Sequence, residues 1–303
     1  MLKKQQGFLD VVLLAALFSP SFMFIKIALR DIEPITLIAL RIGISGLLLL
    51  LTLRLRNISL PRDLSLWKYC FILGFFINGF PFICFSYSLT TIPTSLSALI
   101  NGLAPVMTVF LANAFLEDER LTWNRVLGVI LGLFGFAVLF LPALLGSQME
   151  FDVVGILLSF AGSCSYAVGA VYARKCVKKA PPLVAPTLQL LSSMIYLIPL
   201  SFIFETPMDL VNVTFSSWAA VMGVSLLGTT LAFIMYHRII HLYGATAVAM
   251  AMYLLPIFGT LLGVVFLSET ITVSFAIAAL LILSGVGVIN GIFPLPQVMK
   301  KAL

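Results

Sequence analysis

Read for chemistry, this 303-residue sequence offers hydroxyls, amides, aromatic rings and two cations, all set in apolar runs. Ser21, Asn78, Asn101, Ser163 and Thr229 bring neutral donors and acceptors, with Ser19, Ser165 and Thr230 beside them. Phe22, Tyr166 and Tyr253 bring aromatic faces, two of them with a hydroxyl suited to a flat or amphipathic solute, and Phe76, Phe80 and Met252 supply apolar walls. Groups of this kind, far from water, can replace the hydration shell of a small solute. Ser and Thr equally bond their own helix backbone, or join helices at about 0.6 kcal/mol each, and that reading stands beside the first. An amide turned to lipid costs more than a hydroxyl, so Asn78 and Asn101 point more firmly to an internal site.

Lys26 and Arg41 are the cations inside apolar runs. Arg41 lies roughly 10 Å along its helix from Pro34. Asp31 and Glu33 fall at the same end and are the expected partners; the alternative is that the cations attract a carboxylate or phosphate on a solute. His237 and His241 are one helical turn apart, with no carboxylate or cysteine nearby, so interfacial residues are expected and no metal. The four cysteines, Cys70, Cys84, Cys164 and Cys176, have no CxxC spacing and read as small packing residues. There is no HExxH, no GxSxG and no pair of mid-span aspartates, so neither catalysis nor a cofactor is implied.

The elements that must hold these residues are membrane helices. The chain is 61% hydrophobic and 10% charged, with a mean hydropathy of +1.14, a composition outside the soluble globular range. Its apolar stretches are long enough to cross a hydrocarbon core of roughly 30 Å, and they lack the alternation of barrel strands. Ten spans are expected, at 8–29, 34–54, 66–88, 92–115, 122–143, 152–174, 183–204, 217–238, 244–267 and 271–292. The first is too long for a signal peptide and has no cleavage pattern. Of the 18 Lys and Arg, fifteen fall on the side of the N-terminus, Arg30 alone on the other, and Lys26 and Arg41 within spans. That bias puts both termini in the cytoplasm, and it explains the net charge of +6 without nucleic acid.

An internal repeat runs through the chain. Pro105-Val106-Met107-Thr108 through Phe115-Leu116 and Asp118-Glu119-Arg120-Leu121-Thr122 matches Pro256-Ile257-Phe258-Gly259 through Phe266-Leu267 and Ser268-Glu269-Thr270-Ile271-Thr272. The offset is 151 before the link and 150 after it. Asn78 falls opposite Thr229, Gly135 opposite Gly285, and Ser21 near Ser165. Five spans per copy is odd, so the second copy enters the membrane inverted. Pro20, Pro105 and Pro256 interrupt helices and are candidate hinges, or static kinks. Glu119 and Glu269 read as capping or conformation-setting groups. Gly128, Gly132 and Gly135 in the fifth span form a small-residue face, as do Ser284, Gly285, Gly287 and Gly291 in the tenth, which points to close helix packing, with dimerisation the lesser alternative.

The doubled pattern of Pro-x-x-x, then a dozen positions to Glu-x-Leu/Ile-Thr, resembles the EamA-type branch of the drug/metabolite transporter superfamily. The segments Ser19-Pro20-Ser21-Phe22-Met23-Phe24-Ile25-Lys26 and Pro34 to Arg41 are also similar. The resemblance implies an all-α membrane fold of ten helices in two inverted five-helix repeats, at 5–145 and 150–295. It further implies a central cavity lined by spans 1, 3, 4, 6, 8 and 9, with spans 5 and 10 at the periphery. Family members often carry Trp-Gly and Asn in the first span, where this chain has Phe18-Ser19 and Ser21. The expectation is a secondary transporter or facilitator, exporting a small organic metabolite such as an amino acid or nucleoside-like amphipath by alternating access. A non-transporting sensor or assembly protein, and then a membrane-embedded enzyme, are the alternatives. The expected partners are a small-molecule substrate and the lipid bilayer, with the chain a monomer in a bacterial inner membrane.

Overall fold

The computed structural model describes residues 2–115, 122–140, 151–176, 183–206, 212–243 and 245–289. Glu119, Gly291 and the basic residues Arg120, Lys178, Lys179, Lys300 and Lys301 lie outside the described residues. The described residues form ten membrane helices and no strand. They are α1 (Leu2–Phe18 and Pro20–Ala28), α2 (Pro34–Leu55), α3 (Leu64–Gly74, Phe75–Gly79 and Phe80–Thr91), α4 (Thr94–Asn101 and Ala104–Phe115) and α5 (Trp123–Val138). The second half holds α6 (Val153–Cys176), α7 (Val184–Phe204), α8 (Phe215–Ser225, Leu226–Leu231 and Ala232–Tyr243), α9 (Ala245–Leu267) and α10 (Val273–Ile289). Seven contain an apolar stretch of full membrane-crossing length; the stretches in α5, α9 and α10 are shorter. Each helix satisfies its own backbone, which is why an apolar chain of this kind is helical throughout.

The breaks inside these helices follow from particular residues. In α1 a turn at Ser19 precedes Pro20, whose nitrogen donates no hydrogen bond; the Ser19 hydroxyl bonds back to the Ala15 carbonyl at 2.6 Å. α4 is interrupted at Gly102–Leu103, so Pro105 stands in the first turn of the following piece, where its missing N–H is not needed. Pro256, its mate in the repeat, lies inside the unbroken α9. A methyl group on Gly102 would come within 3.0 Å of the Pro256 ring, so the broken helix packs directly against the intact one.

Two further irregularities are paired. α3 and α8 each contain a π-helical turn, at Phe75–Gly79 and Leu226–Leu231, and the two begin 151 positions apart. That is the repeat offset. Asn78 and Thr229 each stand fourth in their π turn. A π turn inserts one residue into the helical repeat and is found mostly at functional sites.

α5 and α10 cross at backbone contact. A Cβ on Gly128 would sit 2.6 Å from the Gly285 carbonyl, and one on Gly285 would sit 2.6 Å from the Gly128 carbonyl. The small-residue stripe is therefore used within the chain. Because the obstacle is backbone, Gly285→Leu is expected to push the helices apart and cost roughly 1–3 kcal/mol. A lowered thermal midpoint of the purified protein checks this; an unchanged midpoint contradicts the crossing.

Candidate functional site

Arg41 is the centre of the arrangement. It is buried, 4% exposed, on α2 about 10 Å in from Pro34. Its Nε donates to the Thr229 hydroxyl at 2.9 Å, and its guanidinium carbon lies 3.9 Å from the centroid of the Phe82 ring. Thr229 is free to accept because its own proton goes to the Val224 carbonyl five residues back, a bond that the π turn permits. Beneath Arg41, Ser45 donates to the Ser225 carbonyl at 3.0 Å. The Phe82 ring meets Tyr166 edge-on at 6.4 Å, Tyr166 stacks on Phe85 at 5.8 Å, and Phe85 meets Phe22 edge-on at 5.5 Å. Ser21 lies against Gly228, where a side chain would collide with its hydroxyl. One guanidinium, three aliphatic hydroxyls and four rings, one of them the phenol of Tyr166, thus converge from α1, α2, α3, α6 and α8.

Several buried polar atoms, in this cluster and along α3, have no partner among the described residues. The Ser21 hydroxyl and both amide atoms of Asn78 are among them, and Asn78 is fully buried. Asn78 stands four residues before Phe82, one turn along α3. An unpaired buried amide or hydroxyl costs about 1–3 kcal/mol, so this chain keeps a strained polar set at mid-helix.

Other candidates from the sequence lie elsewhere. Ser163 donates to the Ile100 and Ser159 carbonyls, both at 3.0 Å, and so joins α6 to α4. Tyr253 packs against the apolar core of α4, α5, α6 and α10. Asn101 stands at the break of α4, with its side-chain amide oxygen unpaired among the described residues. The converging set includes α2 and leaves out α4 and α9, which differs from the lining that the resemblance implies.

The expected pairing of Lys26 and Arg41 with Asp31 and Glu33 is not what the structure shows. Lys26 Nζ donates to the Leu89 carbonyl and, at 3.2 Å, to that of Ile92, the last turn of α3. A cation there complements the negative end of the helix. Asp31 accepts from the Thr214 N–H at 3.0 Å and the Ser217 hydroxyl at 2.6 Å, capping α8, and Glu33 accepts from the Thr206 N–H at 2.7 Å. Local N–H and hydroxyl groups reach these carboxylates first. Among the described residues no carboxylate lies within 4.0 Å of the Arg41 guanidinium.

Two carboxylates return the contact from the second repeat. Glu205 accepts from the N–H groups of Ile35 and Thr36 at 2.7 and 2.6 Å, from the Thr36 hydroxyl at 2.8 Å and from Tyr87 at 3.2 Å. Glu269 accepts from the N–H groups of Thr94 and Ser95 at 2.6 and 2.9 Å and from the Thr94 hydroxyl at 2.7 Å. Each is a charged cap placed on a helix N-terminus of the other repeat. Glu269 fits the capping role expected of it; Glu205 had no sequence signal, since it is an acid in a link 170 residues from its partner.

The Ser217 and Thr214 hydroxyls, and then the Thr214 N–H, hold the Asp31 carboxyl below its ordinary value of 3.8. A lowered value in the folded state means that this contribution is complete above about pH 4 and lost as pH falls through the folded value. Thermal unfolding across pH should therefore show wild type losing stability on acidification, with Asp31→Asn lacking that part of the slope. Superimposable slopes would contradict the cap.

The sequence profile of the EamA-like transporter family matches residues 5–141 and 153–291. The chain is 23% identical over 291 residues to a "probable amino-acid metabolite efflux pump" of Salmonella typhimurium, covering 94% of each. It is 24% identical over 287 residues to the "uncharacterized transporter YyaM" of Bacillus subtilis, covering 93% of this chain and 92% of that one. A solved crystal structure of a protein 25% identical superposes with a TM-score of 0.66, covering 94% of this chain and 96% of that chain.

Proposed function

Since this chain belongs to the EamA-like transporter family, we propose that it exports a small organic metabolite of the amino-acid class by alternating access around the cluster of Arg41, Thr229, Tyr166, Ser21 and Phe22. The charge bias of the links supports a plasma-membrane placement with both termini inside, so that the face carrying Asp31, Glu205 and Glu269 is the outer one. The observation that carries the reading is the matched pair of π turns. At the same point of each inverted repeat, a helix gives up its regular ladder next to a buried polar side chain, Asn78 or Thr229. Rocking inverted halves against each other exposes such a centre to one side and then the other. The amino-acid class rests on the names of two relatives, each a "probable amino-acid metabolite efflux pump". No catalytic role is proposed for any residue.

The test is counterflow in proteoliposomes, using a panel of radiolabelled amino acids and their N-acyl derivatives. Asn78→Leu should lower counterflow by roughly tenfold or more, because a polar group facing the solute is lost. It should leave thermal stability equal or higher by about 1–3 kcal/mol, since two orphaned buried atoms disappear. Full counterflow in Asn78→Leu would remove Asn78 from the site, and no counterflow of any solute would remove the transport reading.

A further inference from the structure

We infer that Arg41 is the receptor for a carboxylate, and that the solute is a monoanion with an aromatic or apolar body and no ammonium group. This rests on the transporter reading above and sharpens its substrate class. Three observations on Arg41 carry it. Its Nε is committed to Thr229, while among the described residues its two Nη groups have no acceptor. Its charge is without a counter-ion among the described residues, although it is 4% exposed on a membrane helix. Burying a guanidinium in this way is costly, and residues of this kind persist in membrane helices where they serve an ion or a substrate. The free edge of the fork is the side that matches the two oxygens of a carboxylate.

The rest of the cluster decides what the carboxylate is attached to. Phe82, Tyr166, Phe85 and Phe22 form a continuous chain of ring contacts that begins at the guanidinium. An apolar or aromatic body fits against such faces. An ammonium would need an acid. Among the described residues, each acid on or beside the cluster's helices is already engaged: Asp10 by Tyr243 and Arg238, and Asp31, Glu33, Asp63, Asp152 and Glu205 by N–H and hydroxyl groups. A zwitterion would carry one charge too many for this site, and a cation the wrong one. The amino-acid derivative that fits is one whose amine is acylated or absent.

Four probes separate these classes: N-acetyl-L-phenylalanine (anion), N-acetyl-L-phenylalaninamide (neutral), L-phenylalanine (zwitterion) and L-phenylalaninamide (cation). Binding to the purified full-length protein is read by equilibrium binding and by the rise in thermal midpoint. The anion should bind best, with affinity falling roughly tenfold or more when its carboxylate becomes the amide. Arg41→Gln should abolish that preference, yet its ligand-free midpoint should equal or exceed that of wild type, because an unpaired buried charge has gone. Arg41→Lys should keep a weakened preference for the anion. Equal binding of acid and amide to wild type, no binding of the acid, or an intact preference in Arg41→Gln would each overturn the assignment. Should Arg41→Gln fail to fold, the wild-type series and Arg41→Lys still decide. Arg41-dependent binding of the acid without counterflow would sink the transport reading and leave this one standing; counterflow of only neutral or cationic solutes would do the reverse.

Discussion

Replacing Glu205 with alanine should cost the purified protein roughly 3–5 kcal/mol, a fall of many degrees in its thermal midpoint. The carboxylate is 9% exposed and accepts from two backbone N–H groups and a hydroxyl at the start of α2, with Tyr87 as a fourth donor. Alanine leaves the N-terminus of a buried helix without acceptors, at about 1–3 kcal/mol for each orphaned donor. Glutamine keeps one carbonyl oxygen and should lose about half as much. The same contact ties the end of α7 in the second repeat to the start of α2 in the first, so the loss is felt across the whole bundle. If Glu205→Ala unfolds at the wild-type temperature, the carboxylate is not the cap that the geometry describes.

Glu269→Ala should act on transport more than on stability. Glu269 makes the same three bonds to α4, but it is only half-buried, so water can replace it when the contact parts. Lys26 grips the carbonyl end of α3 on the other side of the same α3–α4 turn, and Glu269 is the acid whose charge it feels. A cation on the carbonyl end and an anion on the N–H end hold this turn in place. Loss of charge-assisted bonds worth about 2–4 kcal/mol would shift a two-state equilibrium by thirtyfold or more, leaving the proposed outer face open. Counterflow should fall by roughly tenfold or more, while binding of solute to the detergent-purified protein survives. Counterflow at the wild-type rate would show that Glu269 does not govern that face.

How far this was legible beforehand depends on the kind of interaction. Hydropathy and link charge suffice for helices, because lipid leaves an apolar chain no other way to satisfy its backbone. The doubled Pro…Glu-x-Leu/Ile-Thr pattern makes the repeat visible because both copies keep polar punctuation in register. The π turns leave no such mark: one inserted residue in an apolar run changes no composition, and only the glycines at positions 79 and 228 hint that the neighbouring helix comes close. Arg41 was visible as a charge, but depth along the helix suggested Asp31 and Glu33 as its partners. The fold gives those acids nearer donors at the ends of α7 and α8, and gives Arg41 a threonine 188 residues away. Ser163 shows the converse. As a mid-span hydroxyl it looked like Ser21, and only the fold distinguishes the one bonded to a neighbouring carbonyl from the one left unpaired.

The direct test of the whole account is to lock the Glu269 contact. Thr94→Cys and Glu269→Cys would be introduced together in a variant without Cys70, Cys84, Cys164 and Cys176, reconstituted, and joined by a short, reducible thiol cross-linker. If inverted halves part at this face to release solute, the counterflow of N-acetyl-L-phenylalanine that this variant retains without its Glu269 carboxylate stops on cross-linking and returns on reduction, and neither single-cysteine variant responds to the cross-linker. Unchanged counterflow in fully cross-linked protein would mean that this seam never opens, and that solute does not cross between the two repeats as described.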